Sequence, residues 1–203
     1  MQASVIQELV EMATQRFGKP TVERAASVAA VELDLATHHP ERCPPGTLRQ
    51  LVTHMSRETS VPVSKILQDL GRHFFSRLLI LYPDVIAAHE SCVDLLEHLD
   101  CQVHGEVRRR NPAVRLPRLT VAIDRECNRL TMLYRSPEVP SDVALGLIIG
   151  CARYYEERVA VNCEDLSEGE GAIVRFSVER CAPPCSSLFS GVLARQGRAK
   201  AGR

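Results

Sequence analysis

The chain has 203 residues, 45% of them hydrophobic, and its 25 basic residues balance its 25 acidic residues. A chain of this length buries one sizeable core, so a single domain is expected. Balanced charge provides no basic field to attract nucleic acid, so no nucleic-acid partner is predicted. The N-terminus lacks a basic region followed by a long apolar run, and no window reaches the roughly 18 apolar residues of a membrane span. These features predict a cytoplasmic protein without a membrane partner.

The first half of the chain follows helical periodicity. Apolar residues recur at helical spacing from Ala3 to Phe17, and Gly18 ends the pattern. Three further helices are predicted, over residues 22–31 with Thr21 as the cap, over 47–58, and over 64–83. Gly71 falls inside the last of these, where a glycine costs about 1 kcal/mol against alanine. Its position therefore indicates close packing or a bend.

A long helical pattern from Val85 to Arg109 carries His104 on or beside its apolar face. From the residues alone, His104 is either a core histidine bonded to a neighbour or a ligand to a bound group. The arginines at 108–110 fit the solvated C-terminal end of a helix, where cations are favoured.

After Pro112 the period changes from 3.6 to 2. Alternating residues at 119–123 and 130–134 predict an antiparallel hairpin, and two more strands are predicted around the glycine-rich stretch at 167–171. A helix capped by Ser141 or Asp142 lies between the two pairs. The predicted class is α+β, with about six helices, mostly in the N-terminal half, and a four-stranded antiparallel sheet. Residues 1–185 form the domain, and residues 186–203 form a basic, flexible tail.

Eight cysteines without a secretory signal predict reduced thiols or metal ligands rather than a disulfide framework. Cys181 and Cys185 flank two prolines, and Cys163 lies in the neighbouring strand. Three thiols could form a zinc site, Cys181 and Cys185 could pair as a redox switch, and free thiols are an equal alternative.

Several segments occur together in an ordered series: Phe17–Gly18, LGRHFF at 70–75, Tyr82–Pro83, LDxxxHxxV at 99–107, Leu116–Pro117, Tyr134 with Ser136, and LGLIIG at 145–150 before Tyr154 and Tyr155. In this order and spacing the chain resembles the H-NOX family, the heme nitric oxide/oxygen binding domain related to the sensor domain of soluble guanylate cyclase. The resemblance covers residues 4–181.

The resemblance implies that His104 is the proximal ligand of a non-covalently bound heme b and that Pro117 presses on the porphyrin. It also implies a distal wall that contains no hydrogen-bond donor, formed by Val5, Leu9, Phe74, Leu78, Val143 and Leu147. Val143 stands where an oxygen-binding member has a distal tyrosine. An apolar wall favours nitric oxide over O₂.

One position departs from the family pattern. The family motif YxSxR holds the heme propionates, and this chain has Tyr134, Ser136 and then Glu138. A carboxylate repels a propionate, and loss of a charged hydrogen bond costs about 1.5–3 kcal/mol. Arg135 and Arg118 are the candidate replacements for the missing arginine.

The resemblance predicts a stand-alone, non-enzymatic nitric oxide sensor of bacterial signalling. Its partner would be a histidine kinase or a cyclic-di-GMP enzyme, because no output segment follows the domain. The alternative is a heme-free or weakly heme-binding module that uses the cysteines, with zinc or a thiol pair, as a redox sensor or an interaction domain. No nucleophile elbow, phosphate loop or HExxH motif favours an enzyme.

Overall fold

A computed structural model describes the backbone of residues 2–39, 43–110, 112, 116–124, 129–167 and 173–181, with side chains from residue 5 onward. These residues form a helical half followed by an antiparallel sheet with one long helix inserted. The predicted α+β class is confirmed. The turn at 125–128, the glycine-rich turn at 168–172, Cys185 and the 186–203 tail lie outside the described residues.

The first five helices build the N-terminal half. They are α1 (Gln2–Phe17), α2 (Lys19–Val28), α3 (Leu33–His38), α4 (Thr47–Thr59) and α5 (Val63–Leu81). Helix α1 ends at Gly18, whose φ of 83° lies in the left-handed region that glycine tolerates. The prediction that Thr21 caps the second helix was wrong. Helix α2 begins at Lys19, and the Thr21 hydroxyl donates to the carbonyl of Phe17. The short α3 was not predicted.

Helix α5 crosses the inserted helix α9 (Ser141–Tyr154) at two glycines. A Cβ atom on Gly71 would overlap the carbonyl oxygen of Val143, and one on Gly146 would overlap the carbonyl oxygen of Gln68. Close packing at Gly71 is therefore confirmed. The residue before α9 is Pro140, so neither Ser141 nor Asp142 caps the helix from outside.

The predicted single helix from Val85 to Arg109 was wrong. The segment divides into α6 (Pro83–Ala87), α7 (Cys92–Glu97), a π-helical turn (Leu99–Val103, hereafter the π-turn) and α8 (His104–Arg110). The Ser91 hydroxyl accepts the backbone N–H of Asp94 and starts α7 as a new helix. A π-turn adds one residue to a helical turn and often marks a functional site. It places His104 at the start of α8.

The sheet has the strand order β1-β2-β4-β3, from β1 (Arg118–Asp124), β2 (Arg129–Arg135), β3 (Val159–Asp165) and β4 (Ile173–Arg180). All three pairings are antiparallel, and Tyr134 pairs with Leu119 on one side and Val174 on the other. Leu130, Met132 and Tyr134 alternate on one buried face of β2, as predicted.

Two apolar clusters fill the interior. One lies among α1, α2, α4 and α5, and the other lies between the sheet, α7 and α9. Within the described residues no helix is long and apolar enough to cross a membrane.

Candidate functional site

A cavity of about 310 Å³ lies where the two apolar clusters meet. This volume is at the lower end of the range for small-molecule sites, roughly 300–1,000 Å³. Most of its lining is apolar and comes from α1, α5, α6, α7, the π-turn, α8 and α9, with Leu116, Pro117, Tyr134 and Val139 completing it. The cavity thus suits a mainly hydrophobic group.

His104 lines this cavity, and its side chain is 12% exposed. Its Nδ1–H donates to Oδ1 of Asp100 at 3.1 Å, which leaves Nε2 as the ring nitrogen available to a bound group. Burial lowers the pKa of His104, and the carboxylate of Asp100 offsets this only in part. The imidazole is therefore neutral at pH 7, as a metal ligand must be.

Asp100 is shared by two donors. Nη2 of Arg108 reaches the same Oδ1 atom at 3.0 Å. Burial disfavours the charged form of Asp100, but the hydrogen bonds from His104 and Arg108 outweigh it and lower the pKa of this carboxyl. An ionised carboxylate behind a histidine fixes its tautomer and raises its basicity as a ligand. Asp100 stands in the LDxxxHxxV motif, four residues before His104, but no role was predicted for it from the sequence.

Five of the six residues predicted for a distal wall line the cavity: Val5, Phe74, Leu78, Val143 and Leu147. The sixth, Leu9, does not line it. Leu9 is fully buried in the N-terminal cluster, because α1 turns this residue toward its neighbouring helices. It thus supports the wall from behind.

The hydroxyl groups of Tyr134 and Ser136, at the end of β2, are hydrogen-bonded to the turn that follows the strand. The Tyr134 hydroxyl donates to the carbonyl of Val139 at 2.7 Å, and Oγ of Ser136 accepts the N–H of Val139 at 3.1 Å. Burial raises the pKa of Tyr134 to about 12. Tyr134 lines the cavity, whereas Ser136 is buried behind it and Glu138 is half-buried.

Neither candidate replacement for the missing arginine reaches the cavity lining. Arg118 and Arg135 are exposed and lie opposite each other in the backbone register of β1 and β2. Among the described lining residues the permanent positive charge belongs to Arg77 of α5. Its Nε lies 3.4 Å from Oε1 of Glu8 without the alignment of a hydrogen bond. Arg77 was missed because a charged residue on a helix normally indicates a solvated face.

The strand register contradicts the predicted zinc site in which Cys163 and Cys181 share one ion. Cys163 of β3 pairs with Phe176 of β4. The backbone N–H of Cys181 donates to the carbonyl of Arg158, which lies five residues before Cys163. At about 3.3 Å per residue the two positions lie roughly 16 Å apart, too far for one tetrahedral ion. Both thiols are exposed, and Cys185 lies outside the described residues.

The described helices, sheet and buried-histidine cavity define a domain built to hold an apolar group. The sequence model of the Haem-NO-binding family matches residues 3–163. Unliganded Fe(II) H-NOX protein from K. algicida superimposes with a TM-score of 0.78 at 23% identity, over 90% of this chain and 98% of that one. The Fe(II)NO form from S. oneidensis gives 0.77 at 16% identity, over 90% and 100%. A point mutant of the H-NOX protein from T. Tengcongensis gives 0.75 at 20% identity, over 90% and 99%.

No curated protein sequence matches the chain. The family match spans most of it, so the chain belongs to the Haem-NO-binding, or H-NOX, family. This family consists of heme-binding gas-sensor domains.

Proposed function

We propose that this chain is a nitric oxide sensor that holds a non-covalent heme b through Nε2 of His104. The heme would supply a ferrous iron that binds nitric oxide. The proposal rests chiefly on one arrangement: a neutral histidine lines an apolar cavity and turns its other ring nitrogen to an ionised carboxylate. Pro117, which lines the same cavity, would press on the porphyrin from the proximal side.

The opposite wall favours nitric oxide over O₂. Val5, Phe74, Leu78, Val143 and Leu147 have no hydrogen-bond donor to offer a polar ligand. Bound O₂ gains more than nitric oxide from such a donor, so its absence from these side chains penalises O₂ selectively.

The heme carboxylates need partners other than the family arginine. Tyr134, which lines the cavity, can exchange its bond to the Val139 carbonyl for one to a carboxylate, while Ser136 supports this turn from behind through the Val139 N–H. Arg77 provides the cationic partner, weakened by its pairing with Glu8. This set holds heme less firmly than a dedicated arginine would.

The segment around His104 is suited to transmit ligand binding. The π-turn directly precedes His104, and π-turns within helices are frequent at functional sites. His104 would hold the heme from the start of α8, so a change at His104 would be carried directly to α8 and the π-turn that it contacts. The output would be a contact with a separate protein, and a histidine kinase or a cyclic-di-GMP enzyme is the proposed class of partner.

The alternative function is that of a weakly heme-binding module that acts as a thiol redox sensor or an interaction domain. Glu138 in place of the clamp arginine is the observation that favours it. Its zinc site loses support from the distance between Cys163 and Cys181.

Heme reconstitution separates the two uses. We expect the heme-free chain to take up one heme, His104→Gly to lose most of this binding, and added imidazole to restore it. His98→Ala is the matched control, because His98 lies on the same segment but outside the cavity lining. Equal heme binding by wild type and His104→Gly would support the heme-independent use.

A further inference from the structure

A second histidine cluster lies beside the π-turn, outside the heme cavity. His89 and His98 both contact the carboxylate of Asp94, and their rings stack with centroids 5.3 Å apart. Nδ1 of His89 lies 3.1 Å from Oδ2, and Nδ1 of His98 lies 3.2 Å from Oδ1. We propose that His89, Asp94 and His98 form a binding site for zinc or a similar divalent transition metal.

The spacing of the ligand atoms fits such an ion. Ligands of a tetrahedral zinc lie about 2.0–2.1 Å from the metal and therefore roughly 3.3 Å from one another. The two nitrogen–oxygen distances are close to this value, and one ligand atom from each residue falls within 4.8 Å of the others. Two imidazoles and a carboxylate are a ligand set that zinc accepts, with a fourth position left to water.

The contacts of His89 also suit a metal ligand. Its side chain is 4% exposed, and its Nε2 lies 3.0 Å from Oε1 of Gln102. When Nε2–H donates to Gln102, the Nδ1 lone pair is directed toward Asp94 and is available to a metal ion. Metal-bound histidines characteristically donate their outer N–H to such a partner.

His98 and Asp94 can meet the same ion without a change in net protonation. Nδ1 of His98 also lies 2.9 Å from the Asp94 carbonyl, so in the metal-free chain this nitrogen carries the ring proton. On metal binding that proton moves to Nε2, because the ring is half-exposed and water can accept its N–H. The backbone N–H of Glu90 donates to Oδ2 of Asp94, so the carboxylate is preorganised, and the backbone N–H of Asp94 is held by the Ser91 hydroxyl.

The proposed site opens onto a groove. Among the described residues, the groove is lined by Glu90, Asp94 and Arg180, and Arg180 is itself paired with Glu157 at 2.9 Å. The groove gives a metal-bound water room and access to solvent.

Zinc titration by calorimetry tests the site on the full chain with its accessible thiols blocked by iodoacetamide. We expect one zinc per chain, and a loss of affinity of more than about 100-fold in His98→Ala and in Asp94→Asn. Gln102→Leu, which removes no ligand, should weaken binding by about 10- to 100-fold, the usual effect of an outer partner. Circular dichroism verifies that each variant is folded, and both ligand substitutions are at part-exposed positions.

Two controls make the result specific. His38 contacts Asp34 at 3.2 Å with the same four-residue spacing as His98 and Asp94, but belongs to no three-ligand group among the described residues, so His38→Ala should leave zinc affinity unchanged. His104→Ala should also leave it unchanged, which separates this site from heme binding. Wild type that binds no zinc, or His98→Ala and Asp94→Asn that bind it as tightly as wild type, would overturn the proposal.

Discussion

Nδ1 of His104 lies 3.1 Å from Oδ1 of Asp100, one helical turn earlier, across a π-turn rather than a regular helix. Arg108 reaches the same oxygen and withdraws part of its charge. The basicity of the His104 imidazole, and with it the strength of the proposed iron ligand, thus depends on two opposing neighbours.

Substitution of Asp100 by Asn should weaken the bond between iron and His104, because the uncharged amide no longer raises the basicity of the imidazole. We expect a lower iron–histidine stretching frequency in the resonance Raman spectrum of the reduced protein, and heme affinity reduced by about 10- to 100-fold. Arg108→Gln should shift the same frequency upward. Shifts in the same direction, or none, would contradict the opposing roles.

Replacement of Glu138 by Arg should slow heme loss by roughly one to two orders of magnitude, because a charged hydrogen bond to a propionate replaces a repulsion. Glu138→Gln removes the repulsion alone and should fall between the two. Transfer of heme to apomyoglobin measures the rates. Unchanged or faster loss in Glu138→Arg would mean that this strand end does not face the propionates.

The same assay examines Arg77, the cation of the cavity lining. Arg77→Met keeps the aliphatic bulk and should speed heme loss, whereas Glu8→Gln should slow it by freeing the guanidinium. If Arg77→Met loses heme at the wild-type rate, Arg77 does not bind a propionate.

Val143 controls ligand choice in the proposed site. Val143→Tyr would add a hydroxyl donor to the distal wall and should create a stable ferrous O₂ complex, seen in the absorption spectrum of the reduced protein in air. Val143→Phe is the matched control, since it adds the ring without the hydroxyl and should form no such complex. If both variants behave alike, the hydroxyl does not reach the ligand.

Alkaline unfolding tests the burial of Tyr134. The pKa of its phenol is raised to about 12, so the folded chain keeps a proton that the unfolded chain loses above pH 10. The stabilisation is complete below pH 10 and is lost as the pH rises to 12, a change of about 2–3 kcal/mol. Denaturant melts should show a fall that is about 2–3 kcal/mol larger for wild type than for Tyr134→Phe, because the half-buried Tyr155, whose pKa is also raised, contributes equally to both. Parallel pH slopes would show that the phenol ionises in the folded chain.

Much of the fold followed from periodicity, but contacts made by tertiary structure did not. The β1–β2 hairpin was predicted because apolar residues alternate at 119–123 and again at 130–134. The break of the 85–109 segment was missed, since apolar spacing continues through the short helices and the π-turn. Likewise the distance between Cys163 and Cys181 depends on strand register, which the sequence of either strand alone does not determine.

Within the site, the histidine and five of the distal wall residues could be placed on the cavity from sequence and family resemblance. Leu9 could not be separated from Val5, because the two lie four residues apart on the same face of α1 and differ only in which neighbour they meet. Arg77 and Asp100 were missed because a charged residue acquires its role from packing that a single helix does not reveal.

The most direct test of the account is the absorption spectrum of the reduced, heme-loaded chain, recorded without ligand, with nitric oxide and with O₂. The account predicts a spectrum typical of histidine-ligated ferrous heme, a clear change with nitric oxide, and no stable complex with O₂. A reduced chain that holds no heme, or whose spectrum is unchanged by nitric oxide, would contradict it.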